Sequence, residues 1–225
     1  MKDAVLLWHL RYRECITHEL DWRAYVQDSL LYYHPRAGGV APNPYDGAST
    51  LHVDDTVVAA SDAQLDALQK GLENRFGPIK RHQVQFKHVG VDFTQKSADS
   101  DITMDQTAYI ATLNEVDLQK VRGDGRLADS PLNASKTTDY RSLACGIAWA
   151  GVTSPSGQCA GSLYQTYLPH PTIAHARMLN TCLRQLRETY TPLVFKRCLF
   201  RGGQKLRLLM AVSYTHLTLP TKRRV

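Results

Sequence analysis

The chain has 225 residues, of which 43% are hydrophobic and 21% are charged. This composition is ordinary for a globular protein and excludes wholesale disorder, and since no run of about 18 apolar residues occurs, no membrane-spanning helix is expected. The net charge of +6 favours an anionic partner such as nucleic acid, while five cysteines without a C-x-x-C spacing exclude a standard zinc cluster and indicate a reducing, intracellular compartment.

The first half of the chain predicts helices and strands in alternation. Apolar residues recur at every fourth position from Trp8 to Leu20, which predicts an amphipathic helix. A strand is expected at 29–34, a loop rich in proline and glycine at 35–47, and a hairpin over 51–60. The clearest helix begins after Ser61, which is a typical N-cap, and ends before Gly77.

The second half predicts a short sheet and then a helical region. A strand pair or a bulged strand is expected at 84–93 and a further strand at 102–104. A helix should follow, marked by the apolar spacing of Tyr109, Leu113 and Val116. Three more helices are expected from residue 139, the last of them capped by Thr172. Two strands are predicted at 193–195 and 206–211.

Residues 212–225 resemble the in-frame translation of a transposon-end adapter used in sequencing libraries. They have no clear helical or strand period of their own, and we expect them to pack against nothing. Three basic residues lie in this tail, which leaves 24 basic against 21 acidic residues, or +3, in the rest of the chain. The basic character of the chain therefore depends strongly on the tail.

Two adjacent aspartates, Asp54 and Asp55, stand between the two apolar runs of the 51–60 hairpin. At a hairpin tip both carboxylates can approach one pocket, and their mutual repulsion favours a bound divalent cation. Nucleotide polymerases hold Mg²⁺ in this way, with one or two carboxylates and the substrate phosphates. The dipeptide alone also fits a solvated Asp-Asp turn, because aspartate is common in turns.

The residues around the acid pair resemble a known motif. The stretch LHVDDTVVAAS is similar to the Y-x-D-D motif of reverse transcriptases, in the form used by Ty1/copia-type retrotransposons. Further stretches resemble segments of that family in the same order: KDAVLLW at 2–8, DSLLY at 28–32, FKHVGV at 86–91, ITMDQTAYI at 102–110, YRSLACG at 140–146 and the helix at 171–186. His52 stands where the family usually has tyrosine. The family's upstream segment D-V-x-x-A-F-L, which supplies a third metal-binding carboxylate, does not occur in this sequence.

The resemblance implies an α+β fold. A partial right-hand polymerase palm, an antiparallel sheet with helices, would be followed by a mostly helical thumb and connection. The C-terminal half of the palm would cover 1–95, the thumb and connection 96–190, and the start of a truncated ribonuclease H-like region 191–211. The resemblance implies RNA-directed DNA synthesis by two-metal nucleotidyl transfer, with Mg²⁺ or Mn²⁺, in the intact parent. The fragment itself should be inactive, because the third carboxylate is missing.

The resemblance also assigns roles to residues. Asp54 and Asp55 would be the catalytic and metal-binding acids. An RNA template and a DNA primer would be contacted by His52, Lys80, Arg81, Phe86, Lys87, Gly90, Arg177 and Arg184. The intact parent would also bind deoxynucleoside triphosphates and the missing parts of its own polyprotein, and would have no membrane partner. For the basic residues, a solvated turn or the ordinary polar face of a helix is the alternative.

Two other interpretations of the chain stay open. It could be a decayed or domesticated relative that binds nucleic acid without synthesis, or an unrelated α+β binding protein with a chance Asp-Asp turn. The matches in family order argue against the second of these, whereas the missing acid does not separate the first from a truncated polymerase.

Overall fold

The computed structural model describes residues 2–36, 38, 45–53, 55–118, 128–197 and 207–212, with 2–5 and 207–212 as backbone only. The chain has an α+β fold with antiparallel sheets. It divides into two compact units. The first comprises 1–88, 93–102 and 195–225, and the second comprises 89–92 and 103–194.

The first unit contains two helices and a six-stranded sheet. Helix α1 (Lys2–Glu14) continues into a π-helical turn (Cys15–Glu19), and α2 covers Asp62–Phe76. The strands are β1 (Arg23–Ala24), β2 (Leu31–Pro35), β3 (Tyr45–His52), β4 (Asp55–Ala60), β5 (Lys80–Gln83) and β10 (Arg207–Val212), in the spatial order β1-β2-β3-β4-β10-β5. The predicted loop at 35–47 is therefore too long, because β3 begins at Tyr45.

The core of the first unit lies between these helices and the sheet. Tyr12 and Ile16, which the four-residue spacing predicted to share a face, are both buried, and so are Leu65, Leu68 and Leu72 of α2. Helix α2 is capped as predicted, since Ser61 Oγ accepts a hydrogen bond from the Gln64 backbone at 3.4 Å. The helix ends at Gly77, whose positive φ of 86° is readily available only to glycine.

Strand β10 fills a central position of the six-stranded sheet. It runs antiparallel to both neighbours, with Leu209 opposite Val58 of β4 and Gln83 of β5. The sequence predicted this strand and placed it in a separate ribonuclease H-like region, but the structure puts it in the same sheet as the 51–60 hairpin. Val212 also belongs to the strand and pairs with Asp55 and Lys80, so the expectation that the 212–225 tail packs against nothing is wrong for Val212. Residues 213–225 lie outside the described residues.

A second sheet has four short strands in the order β6-β7-β8-β9. They are β6 (Gln85–His88), β7 (Val91–Thr94), β8 (Ile102–Asp105) and β9 (Leu193–Phe195). The strand pair expected at 84–93 is confirmed as β6 and β7.

The helices of the second unit are α3 (Thr107–Thr112), α4 (Ala134–Ala150), α5 (Pro155–Gln165) and α6 (Ile173–Thr189). They enclose a core that includes Tyr140, Ile147, Leu179 and Leu183. The predicted cap of α6 is confirmed, because Thr172 Oγ1 accepts from the His175 backbone. Within the described part of the chain, no helix is both long and apolar enough to cross a membrane.

Helix α3 is shorter than its apolar spacing predicted. It ends at Thr112, and Val116 lies in extended chain. There the buried Asn180 side chain accepts from the Val116 N–H and donates to the Val116 carbonyl, both at 2.9 Å. These bonds satisfy the Val116 backbone without a helical turn, because a buried backbone group needs a partner of some kind.

We predict that Asn180→Leu lowers the free energy of unfolding by about 2–4 kcal/mol, because it strands a buried N–H and a buried carbonyl. Urea denaturation measures this loss. Gln185→Leu, an exposed change on the same helix, is the control and should stay within about 0.5 kcal/mol of the parent. Equal stabilities for the two variants would contradict the role given to Asn180.

Truncation tests the place of β10. A chain ending at Val212 should melt at the same temperature as the full chain, because we expect the 213–225 segment to pack against nothing. A chain ending at Leu206 should melt lower, since β4 and β5 then lose the strand that pairs with both of them. Thermal unfolding followed by circular dichroism compares the three lengths. Equal melting temperatures for all three would show that β10 adds nothing to the sheet.

Candidate metal and nucleic-acid site

Asp55 lies at the tip of a hairpin, as predicted. In the register of β3 and β4, Leu51 faces Thr56 and His52 faces Asp55, so the turn between the strands has two residues. Asp55 opens β4 and is half-buried. Asp54 lies outside the described residues. The tip therefore presents the Asp55 carboxylate beside the exposed imidazole of His52.

The turn holds a valine in a strained conformation. Val53 has a φ of 56°, which suits a two-residue hairpin turn but is unfavourable for a β-branched side chain. Left-handed backbone costs such a residue about 1–2 kcal/mol. The turn between β6 and β7 has the same feature, since Val89 (φ 47°) precedes Gly90 (φ 78°). Strain of this kind often marks a functional turn.

Two histidines at these hairpins contact each other. The rings of His52 and His88 lie edge to face, with centroids 5.9 Å apart. Burial lowers the pKa of His88, and the nearby His52 lowers it further. The Nδ1 atom of His88 is buried without a hydrogen-bond partner among the described residues. His88 thus brings a neutral imidazole beside the exposed His52 of the acid hairpin.

An apolar cluster holds β6 and β7 against β4. Phe86 is buried and stacks on Phe93, with ring centroids 5.2 Å apart, and both contact Val57 two residues beyond Asp55. Phe86, which we expected to contact the primer, therefore packs within the protein. Its neighbour Lys87 is exposed and directly precedes His88 in the sequence.

A buried cluster of hydroxyl groups lies under the acid hairpin. Thr56 Oγ1 lies 3.0 Å from Tyr12 Oη and 2.9 Å from Ser49 Oγ, and it donates to the Thr50 carbonyl. Burial raises the pKa of Tyr12 to about 12, so its hydroxyl stays protonated. The sequence analysis did not single out these residues. The sequence did contain a signal for this cluster, because Ser49 and Thr56 are polar residues at inward positions of apolar strands.

The basic residues near the hairpin have different surroundings. Lys80 is exposed at the start of β5. Arg81 contacts α2, where its Nη1 lies 2.5 Å from Asp66 Oδ1 and 3.2 Å from Gln69 Oε1. Its guanidinium therefore has an anionic partner within the protein. The side chains of Lys80 and Lys87 are both exposed.

The remaining predicted residues, Gly90, Arg177 and Arg184, lie in the second unit. Arg177 and Arg184 line a cavity of about 680 Å³, in which Arg184 contacts Glu115 at 3.1 Å. Arg187, on the same helix, donates to the carbonyls of Ala111 and Leu113. Two arginines of α6 therefore line a cavity, whereas the third makes an internal contact with the end of α3.

Asp55 has the chemistry that Mg²⁺ prefers, a hard carboxylate oxygen. Within the described ranges, which exclude Asp54, no group of three or more histidine, cysteine, aspartate or glutamate side chains is placed to hold a metal ion. The described residues therefore supply part of a Mg²⁺ site, with the Asp55 carboxylate as one ligand at the hairpin tip.

Comparison of the chain with models of protein families, with curated proteins and with solved structures gave no match.

We predict that Val53→Gly raises the free energy of unfolding by about 0.5–1 kcal/mol, because relief of the left-handed strain exceeds the added entropy of the unfolded chain. Val26→Gly is the matched control. Val26 is 96% exposed and lacks a positive φ, so the same substitution there should destabilise slightly. Urea denaturation separates the two, and equal losses for both variants would contradict strain at the hairpin.

Proposed function

We propose that the chain is a piece of an RNA-directed DNA polymerase, the reverse transcriptase of a Ty1/copia-type retrotransposon. One observation carries the proposal: Asp55 stands at the tip of a two-residue β-hairpin, within the stretch LHVDDTVVAAS. A solvated Asp-Asp turn would need no supporting contacts from neighbouring residues. This tip instead has a strained turn, a contacting pair of histidines and a buried hydroxyl cluster beneath it.

The proposed metal ligands are Asp54 and Asp55, with Mg²⁺ or Mn²⁺ as the ion. When bound, the ion would supply charge stabilisation at the primer hydroxyl and the nucleotide phosphates. Asp55 contributes a carboxylate whose strand is paired on both sides, by β3 and β10. The proposal needs a third carboxylate from the family segment D-V-x-x-A-F-L, so polymerase activity is assigned to the parent protein.

Lys87 and Lys80 are the proposed contacts to the primer–template backbone near the hairpin. Both are exposed lysines, which bind phosphates as mobile point charges. Phe86 and Phe93 would act indirectly by fixing β6 against β4, and Arg81 by its pairing with α2. Arg177 and Arg184 would bind phosphates from the second unit. Such contacts release counterions, so binding should weaken steeply as salt increases.

The first test measures binding of an RNA–DNA primer–template duplex by fluorescence anisotropy at several salt concentrations. We expect salt-sensitive binding, and Lys87→Gln should reduce the slope of log K against log salt by about one unit. Lys70→Gln, on α2, is the charge-matched control and should leave the slope unchanged. Salt-independent binding, or no binding, would contradict the nucleic-acid assignment.

The second test is primer extension on an RNA template with Mg²⁺. The chain alone should not extend the primer, whereas the chain fused to a palm segment carrying D-V-x-x-A-F-L should. In the fused protein Asp55→Asn should reduce extension by about a hundredfold or more, since even indirect partners of a metal matter by up to that factor. Asp129→Asn, an exposed change in the second unit, is the control.

Two outcomes of this experiment would contradict the proposal. Extension by the chain alone would mean that a substitute third acid exists within it. Duplex binding without extension by the fused protein would favour the decayed or domesticated relative that binds nucleic acid without synthesis.

A further inference from the structure

A β-bulge creates a histidine–aspartate pair away from the acid hairpin. His34 of β2 pairs with Gly47 of β3, and Pro35 pairs with Tyr45, so Asp46 is the extra residue. A bulge turns a side chain away from the alternation of a regular strand. Here the Asp46 carboxylate lies 2.6 Å from His34 Nδ1, with the two side chains 25% and 17% exposed.

Trp22 supports this pair. Its ring lies edge to face with His34 at 5.5 Å and is almost fully buried. It packs over Gly47, where a Cβ would come within 2.8 Å of the indole. The strand needs glycine at this position, because any larger residue would push Trp22 off the imidazole.

The pair lines a cavity of about 510 Å³, within the usual range for small-molecule sites. Two arginines from different strands line the same cavity, Arg23 of β1 and Arg36 directly after β2, together with Asp21. Asp21 is exposed, so its charge is screened by solvent. None of these residues belongs to the proposed polymerase site.

The hydrogen-bonding groups of the cavity define a ligand. An ionised carboxylate only accepts, so His34 Nδ1–H donates to Asp46, which leaves Nε2 as the ring nitrogen for a ligand. A hydroxyl group suits Nε2, because it can both donate and accept a hydrogen bond. Two guanidinium groups suit a dianion, and their planar donors match phosphate oxygens.

We infer that this cavity binds a small phosphate ester that carries a free hydroxyl group. Its phosphate contacts Arg23 and Arg36, and its hydroxyl group forms a hydrogen bond with His34 Nε2. The Asp46 bulge acts as a positioning residue, because it fixes the tautomer and the ring plane of His34.

The test is isothermal titration calorimetry of the full chain with ribose 5-phosphate, with inorganic phosphate and ribose as separate arms. No primer, template or Mg²⁺ is present, so the outcome is independent of the polymerase proposal. Ribose 5-phosphate should bind saturably and more tightly than inorganic phosphate, and ribose should not bind. Arg23→Gln should weaken ribose 5-phosphate binding by about tenfold, which is typical of one hydrogen bond to a charged group.

Two further variants separate a specific contact in the cavity from a general effect of charge. Arg11→Gln removes an exposed arginine of α1 outside the cavity and should leave affinity unchanged. His34→Ala should weaken ribose 5-phosphate binding by about fivefold and inorganic phosphate binding not at all, since only the ester carries a sugar hydroxyl group for Nε2. Circular dichroism checks folding, and if His34→Ala does not fold, Arg23→Gln against Arg11→Gln decides.

Three results would overturn the inference. The first is no saturable binding of ribose 5-phosphate by the parent chain. The second is equal weakening by Arg23→Gln and Arg11→Gln, which would indicate a general response to charge. The third is equal affinity for inorganic phosphate and the ester, which would indicate a simple anion site with no role for His34.

Discussion

The register between β3 and β4 is the constraint on which the first unit depends. With His52 opposite Asp55, the buried positions of β3 are Gly47, Ser49 and Leu51, and the intervening residues face outward. A slip of one residue would exchange the two faces and bury His52 and Thr50 in place of Leu51 and Ser49. The same register sets the turn at two residues, which forces Val53 into left-handed backbone and brings His52 next to an acid. The position of the hairpin tip, the buried hydroxyl cluster and the strained backbone of Val53 therefore all follow from this register.

Elements with local signals could be predicted from the sequence. Helix α2 has its cap, its apolar face and its terminating Gly77 within one short stretch, and each of these signals acts on residues close to it in sequence. Strand β10 was predictable as a strand because of its composition, but not its place between β4 and β5, because pairing partners far apart in sequence leave no local mark. The predicted length of helix α3 was wrong for a related reason. Its spacing continued through Val116, but the competing partner, Asn180, lies 64 residues further along the chain.

The candidate site divides in the same way. The position of Asp55 at a hairpin tip was predictable, because turn-forming aspartates between β-prone runs are a local pattern. The contact of His52 with His88 was not, since it requires two hairpins to be placed in space by Val57, Phe86 and Phe93. Positive charge was an even weaker guide. Arg81 and Arg184 look like phosphate ligands in the sequence, yet the fold brings each to an acidic side chain within the protein, Asp66 in one case and Glu115 in the other.

Pairing on both sides of β4 gives the acid hairpin a rigid base. A strand at the edge of a sheet can bend or fray, whereas β4 is bonded to β3 on one side and β10 on the other along all of its residues. The Thr56 hydroxyl adds bonds to both Tyr12 and Ser49 directly behind Asp55. Chemistry on a phosphate requires reacting groups to be held to within a small fraction of their separation. A carboxylate on a strand paired on both sides, next to a strained turn, is held more firmly than one on a free loop, and the proposed phosphate chemistry would need this support.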